Sequence, residues 1–350
     1  MDDGTFGKME SKNIAYNLLI VGLVLVALYF GKSLIMPLVI AFVIWYLINS
    51  LKRLIGRIKI GSSALPWYLQ LGITLALVFI VVFSLSKLIA SNFEEFVQAY
   101  PAYHDKILNL SREVSASVQL PVSVDEMIHK LNLPELFSNA LDSSVSLMSE
   151  TTLILIYVLF MLAEERIFRG KIEQIFGKRE QMFKFLTTVN QMDKSIRAYI
   201  TIKTLLCLLS AVASFIVLYI IGVDFAVLWA LLIFFLNYIP IIGAFIGPLF
   251  PALIAFVQFD GATNSVIVLI SLATIQLIIG NVIEPKALGD RLNLSPLVVI
   301  ISLAFWGTLW GIAGMFLCVP ITVMLMIVLS QFEKTKSVAI LLSGGKAFKD

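Results

Sequence analysis

Two stretches of this chain, residues 225–259 and 292–332, run for 35 and 41 positions without a single charged side chain. As straight helices they would be about 52 and 62 Å long at 1.5 Å per residue, against a hydrocarbon core of about 30 Å. Neither is one membrane crossing, and neither is a soluble helix, because it has no polar face to turn towards water. Each is broken near its middle, the first by Pro240, Gly243, Gly247, Pro248 and Pro251, the second by Gly307, Gly311, Gly314 and then Pro320. The pattern predicts two hairpins of broken helices. Irregular backbone at membrane depth is tolerated only where protein or a water-filled cavity satisfies the freed N–H and C=O groups, so two such segments point to an internal polar cavity and to transport.

The remainder of the chain fits the same class. Hydrophobic residues make up 59% and charged residues 14%, where a soluble domain carries about 25% charged. Of the 49 charges, 27 fall within residues 87–203, so the order is hydrophobic, polar, hydrophobic. Residues 14–30 and 34–51 read as a hairpin of two spans turning at Lys32; the first run is too long for a cleavable signal and stays as a membrane helix. Lys52, Arg53, Arg57 and Lys59 follow with no acidic residue among them, which marks a cytoplasmic loop. Residues 66–86 then run outward. Residues 87–150 hold four basic and nine acidic side chains and read as a small external helical domain, with Ile107, Leu110, Val114 and Val118 at helical spacing and a capping box at Ser123 and Glu126. Tyr100-Pro101, Leu120-Pro121 and Leu133-Pro134 punctuate it. A span ending near Ala163 returns inside. Residues 164–203 carry nine basic and five acidic groups, with Met182, Phe185, Leu186, Val189, Met192, Ile196 and Tyr199 on one face, as in an interfacial amphipathic helix.

From 204 to 332 only Asp224, Asp260, Glu284, Lys286, Asp290 and Arg291 are charged. Counting crossings from an inner Lys203 makes the first hairpin open outside and the second inside. The expected fold is therefore all-α and polytopic, with about eight hydrophobic segments. Its two Pro/Gly-broken hairpins form an inverted-topology repeat, and the external helical domain is an addition to it. The organisation reads as 1–86 membrane spans, 87–150 external, 151–203 span plus interfacial helix, 204–332 transport core, and 333–350 a tail whose Lys334, Lys336, Lys346 and Lys349 place it, like the N-terminus, in the cytoplasm.

Other classes fare worse. Cys207 and Cys318 sit in apolar runs and read as small buried hydrophobes. The net charge of +3 comes from juxtamembrane Lys and Arg, and no basic patch with interleaved aromatics argues for nucleic acid. His104 and His129 fall in the external segment, no Gly-x-Ser-x-Gly or Gly-x-Gly-Asp occurs, and no nucleophile or metal set suggests an enzyme or a cofactor.

The runs NYIPIIGAFIGPLFP at 237–251, VIEPKALG at 282–289, LNLSP at 292–296 and GIAG at 311–314 leading to Pro320 resemble those of the autoinducer-2 exporter family of bacterial permeases, over essentially the whole chain. The resemblance implies a secondary transporter of the bacterial inner membrane, a multi-pass protein exporting a small polar signalling molecule used in quorum sensing. It equally implies Na⁺(Li⁺)/H⁺ antiport as an alternative, with H⁺ or Na⁺ as partner ions, membrane lipid around it, and a homo-oligomer, a pentamer. A passive channel or a scaffold stays open.

Nine residues are candidates for the pathway. Glu284 closes a 23-residue uncharged run before Pro285; an ionisable group beside a broken helix suits proton or cation coupling, and the alternative is a boundary salt bridge with Lys286 or Arg291. Asn237 beside Pro240 can donate and accept towards a solute or cation, or cap its helix. Gln276 and Asn281 either complete a polar lining or make interhelical hydrogen bonds. Gly243, Gly247, Gly311 and Gly314 permit turns and close approach, leaving backbone carbonyls to line a site. Ser302 and Thr308 are weaker candidates, and Trp306 and Trp310 read as packing.

Overall fold

The computed structural model of the chain describes residues 16, 19–56, 59–60, 63–64, 66–117, 152–164, 171, 179–289 and 292–345. These are mostly helical, with a two-rung antiparallel pair between Lys59–Ile60 and Ser63–Ala64 and an isolated antiparallel bridge between Leu294 and Ser343. In chain order the helices are α1 (Leu19–Phe30), α2 (Lys32–Ile55), α3 (Trp67–Ser117), α4 (Thr152–Glu164), α5 (Arg179–Ile221), α6 (Ala226–Leu236), α7 (Ile242–Gln258), α8 (Ala262–Ile278), α9 (Glu284–Leu288), α10 (Pro296–Ser330) and α11 (Glu333–Leu342). Among the described residues five helical stretches are long and apolar enough to cross a membrane, α8 counting together with its continuation to Leu288; α1, α4, α6 and α7 are apolar but shorter.

The N-terminal half departs from its sequence reading in three places. The expected hairpin at Lys32 is instead a bend. Gly31 (φ −81°, ψ 5°) still donates its N–H to Ala27 O, and Ile35 N–H still bonds Gly31 O, so the hydrogen-bond ladder continues and leaves no room for a reversal. Secondly, Pro101 does not punctuate a domain but lies within the 51-residue α3, which at about 77 Å outruns any hydrocarbon core. Phe96 and Tyr103 on it pack against Phe225 and Trp229, and that apolar contact holds the helix together through the proline. The capping box, Val118 and His129 lie outside the described residues. Thirdly, the amphipathic stretch and the span after it are one helix, α5, of 43 residues. Ile196 and Tyr199 of the apolar stripe are buried beside Tyr46 and Trp310, and Tyr46 donates to Asp193 at 2.8 Å.

The first uncharged run is a hairpin. Its arms, α6 and α7, are 11 and 17 residues long, about 16 and 26 Å. Its two ends meet: Gln258 accepts from Asp224 N–H and donates to Gly222 O, both at 2.8 Å. Tyr103 hydrogen-bonds Asp224 and Lys106 pairs with Asp260, so α3 clamps this open end. At the closed end Ile242 N–H bonds Pro240 O at 2.7 Å across Ile241, a β-branched residue at φ 69°, a strained γ-turn.

The second run also reverses. α10 is two arms joined at Gly311, whose φ 62°, ψ −142° is accessible to glycine alone. Residues of the two arms meet across that turn: Thr322 Oγ1 lies 3.0 Å from Ser302 Oγ and accepts Trp306 Nε1–H at 3.2 Å. This network is buried. Thr322→Val keeps the shape but strands the Trp306 N–H, and it should cost about 1–3 kcal/mol; the thermal midpoint of detergent-solubilised protein measures this, and an unchanged midpoint would refute the network's role. The open end of the hairpin is closed by Ser295 N–H to Leu342 O and Gly344 N–H to Asn293 O.

The first hairpin thus opens beside the N-terminal end of α8, at Gly261, and the second just beyond α9. Cys207 and Cys318 are both free and buried, as expected of small apolar residues.

Candidate functional site

The site is organised along α5. Lys203, Cys207, Ser210 and Ser214 recur at i, i+4, i+7 and i+11, which places them on one face, and all four are buried. Lys203 Nζ pairs with Glu284 Oε1 at 2.6 Å, the two side chains 7% and 25% exposed. The neighbouring Thr204 accepts Tyr238 O–H at 2.8 Å while donating to Ile200 O. Tyr238, at the turn of the first hairpin, stacks on Phe316 of the second, ring centroids 5.6 Å apart. About two turns further along α5, Asn237 Nδ2 donates to Ser210 Oγ at 2.8 Å. The turn of the first hairpin therefore meets the second arm of the second hairpin beside Lys203 and Thr204.

Opposite them runs α8. Seven residues separate Lys203 from Ser210 and eight separate Glu284 from Gln276, rises of about 10 and 12 Å, so on antiparallel helices Gln276 is level with the Ser210–Asn237 bond. Gln276 is 5% exposed, and its Nε2 has no hydrogen-bond partner among the described residues. A Cβ at Gly247 would stand 4.0 Å from that atom. Between α8 and α9 the residues Ile279–Ile283 form a π-turn, which adds a residue to the turn and rotates the next segment about the helix axis. Glu284 comes immediately after it and is delivered to α5.

Of the sequence candidates, Asn237, Gly243, Gly247, Gln276 and Glu284 gather around this face. Asn237 ends α6 through its backbone and spends its amide across the bundle on Ser210. Gly243 packs so closely on α6 that a Cβ would overlap Asn237; Pro240 supplies the acceptor of the γ-turn. Glu284 pairs with Lys203 rather than with Lys286; Arg291 lies outside the described residues. Asn281, within the π-turn, is exposed and does not join Gln276 in a shared lining. Gly311 forms the exposed turn of the second hairpin and Gly314 its tightest contact, a Cβ there overlapping Trp306 O. Thr308 bonds back to Ala304 O, as its helix position suggests, and Trp310 donates to Leu28 O of α1.

Sequence reasoning missed Lys203, Thr204, Ser210 and Tyr238. Lys203 reads there as the last charge before a span; the signal that marks it out is its spacing from Cys207, Ser210 and Ser214, which puts an ammonium on a buried helical face.

Residues 18–334 match the profile of the AI-2E family transporter. The chain belongs to the AI-2E transporter family. Among relatives, the AI-2 transport protein TqsA of Escherichia coli (strain K12) is 30% identical over 327 residues, 92% of each chain. A protein of Haemophilus influenzae named as a candidate transport protein is 33% identical over 303 residues, covering 81% of this chain and 84% of its own. One of Borreliella burgdorferi, named likewise, is 27% identical over 340 residues, 96% and 91%. This AI-2E family member is a membrane protein with transport proteins as its relatives. The matched span takes in both hairpins, α5 and α8, so every residue of the site lies within the family's shared region.

Proposed function

We propose that the protein is a secondary transporter that exports a small polar signalling molecule of the autoinducer-2 type across the bacterial cytoplasmic membrane, driven by an ion gradient, and that it is not an enzyme. The observation that carries this reading is the meeting of two broken hairpins, open at opposite ends, at Tyr238 and Phe316 beside a buried Lys203–Glu284 pair. Arms of about 16 and 26 Å suit re-entry rather than two full crossings. Two hairpins of opposite orientation suit an inverted-topology repeat that exposes one site to each side in turn. In this reading both termini are cytoplasmic, lipid surrounds the apolar helices, and the protein works as a homo-oligomer, a pentamer. Asn237, Ser210 and Gln276 offer the amide and hydroxyl groups that a hydroxylated solute requires.

Na⁺(Li⁺)/H⁺ antiport is the second reading, favoured by Glu284, a half-buried carboxylate next to the hairpin turns. A passive channel needs no buried ion pair, and a scaffold needs no broken hairpins. Purified protein in sealed vesicles separates them. Autoinducer-2 flux that tracks an imposed pH gradient and stops with an uncoupler is the expected result; Na⁺- or Li⁺-dependent proton movement without autoinducer-2 flux would replace export by antiport. Flux indifferent to the gradient would mean a channel, and none at all a scaffold.

A further inference from the structure

We propose that Lys203 is an internal counter-cation that a proton displaces from Glu284, so that the ammonium and the proton neutralise one carboxylate in turn during the transport cycle. This rests on the transporter reading above. A carboxylate in a membrane bundle needs compensation at every stage, because an uncompensated buried charge is costly. Lys203 supplies it in this structure, at 2.6 Å.

Three observations make the pair exchangeable rather than a fixed tie. The exposures are unequal: Glu284 is 25% exposed and Lys203 7%, so the carboxylate is the more accessible member of the pair. Glu284 comes directly after a π-turn, a local fault in the helix whose extra residue can be taken up or released without unwinding it. Thr204, next in chain to Lys203, holds Tyr238, and Tyr238 stacks on Phe316, so a shift of Lys203 is felt where the two hairpins touch. Among the described residues, the other titratable groups that face the pair are Tyr199 and Cys207 on α5, Tyr238 on the first hairpin and Cys318 on α10. All are neutral hydrogen-bonding groups at physiological pH, while Lys286 on α9 is exposed. Lys203 is thus the cation that sets the state of Glu284.

The exchange conserves charge and protons. A proton from the medium binds a carboxylate oxygen of Glu284, giving the neutral acid. Lys203 keeps its own proton, loses its partner, and turns its N–H donors to oxygens within the bundle while the solute site is empty. On the inner side the ammonium returns to Glu284 and expels the proton there, and the re-paired site takes up the solute and carries it outward, so proton and solute occupy the site in turn.

Two measurements on the full-length protein in vesicles test this. Dicyclohexylcarbodiimide labels protonated carboxyl groups in apolar surroundings, and labelling at Glu284 is read by mass spectrometry at neutral pH. Lys203→Gln should raise labelling about tenfold through loss of the neighbouring cation, while Lys203→Arg, which keeps the charge, should match wild type; equal labelling in Lys203→Gln and wild type overturns the proposal. In the second measurement, autoinducer-2 accumulation driven by a pH gradient should fall about tenfold or more in Lys203→Gln and in Glu284→Gln, and persist in the exposed Lys286→Gln. Gradient-driven accumulation that survives in Lys203→Gln also overturns it. If wild type moves no autoinducer-2, the export reading fails instead, and the labelling comparison still decides the role of Lys203.

Discussion

Gly314→Ala is expected to abolish transport and to lower the thermal midpoint more than any other single methyl added to the chain. The hairpin formed by α10 closes so tightly after Gly311 that a Cβ at position 314 would overlap the carbonyl oxygen of Trp306, stand 2.6 Å from its carbon, and stand 3.1 Å from Trp310 Cβ. The first two are backbone atoms within a helix and cannot rotate away. The arms must separate, and separation pulls Trp306 from Thr322 and Ser302 from the same hydroxyl. Overpacking against a side chain costs about 1–3 kcal/mol; against backbone, with a buried hydrogen-bond network lost as well, the upper end or beyond is expected. Gly280, where an added Cβ meets nothing within 4 Å, is the control. A Gly314→Ala protein with wild-type midpoint and flux would refute the close approach.

The second large effect concerns the stability that the Lys203–Glu284 pair confers. Glu284→Leu alone strands an almost fully buried ammonium, and breaking a buried pair from one side costs about 3–5 kcal/mol. Lys203→Met with Glu284→Leu removes both charges and should restore the midpoint to within about 1 kcal/mol of wild type or above it, because two desolvation penalties vanish together. Thermal unfolding of the three proteins in one detergent measures this directly. Equal destabilisation in the single and double variants would mean that the two charges do not compensate each other. Recovery of stability without recovery of gradient-driven flux would separate the pair's part in folding from its part in transport.

Much of the hairpin region is legible in the chain because membrane thickness sets a ruler. Uncharged runs of 35 and 41 residues cannot be single crossings, and Pro240, Gly243, Gly311 and Gly314 mark where they break; the structure turns at Ile241 and Gly311. Local signals are less dependable where packing overrules them. Pro101 is a break on its own terms, yet α3 carries through it because Phe96 and Tyr103 are anchored on Phe225 and Trp229. Lys32 reads as a turn between spans, but the hydrogen bonds on both sides of Gly31 persist. At the site, Asn237, Gln276 and Glu284 are visible as polar groups in apolar surroundings, whereas Asn281 is picked out by spacing on a regular helix and the π-turn puts it on the outside.

The sequence by itself determined the class of molecule and the existence of two broken hairpins, since each follows from the length of an apolar run and the position of Pro and Gly. Tertiary structure decided which polar groups meet. Lys203 and Glu284 are 81 residues apart, Asn237 and Ser210 are 27, and Tyr238 meets Phe316 from the other hairpin. No periodicity along one helix encodes those encounters. They depend on how two rigid helices are set against each other, and a single extra residue in the π-turn before Glu284 is enough to decide whether its carboxylate faces lipid or a lysine.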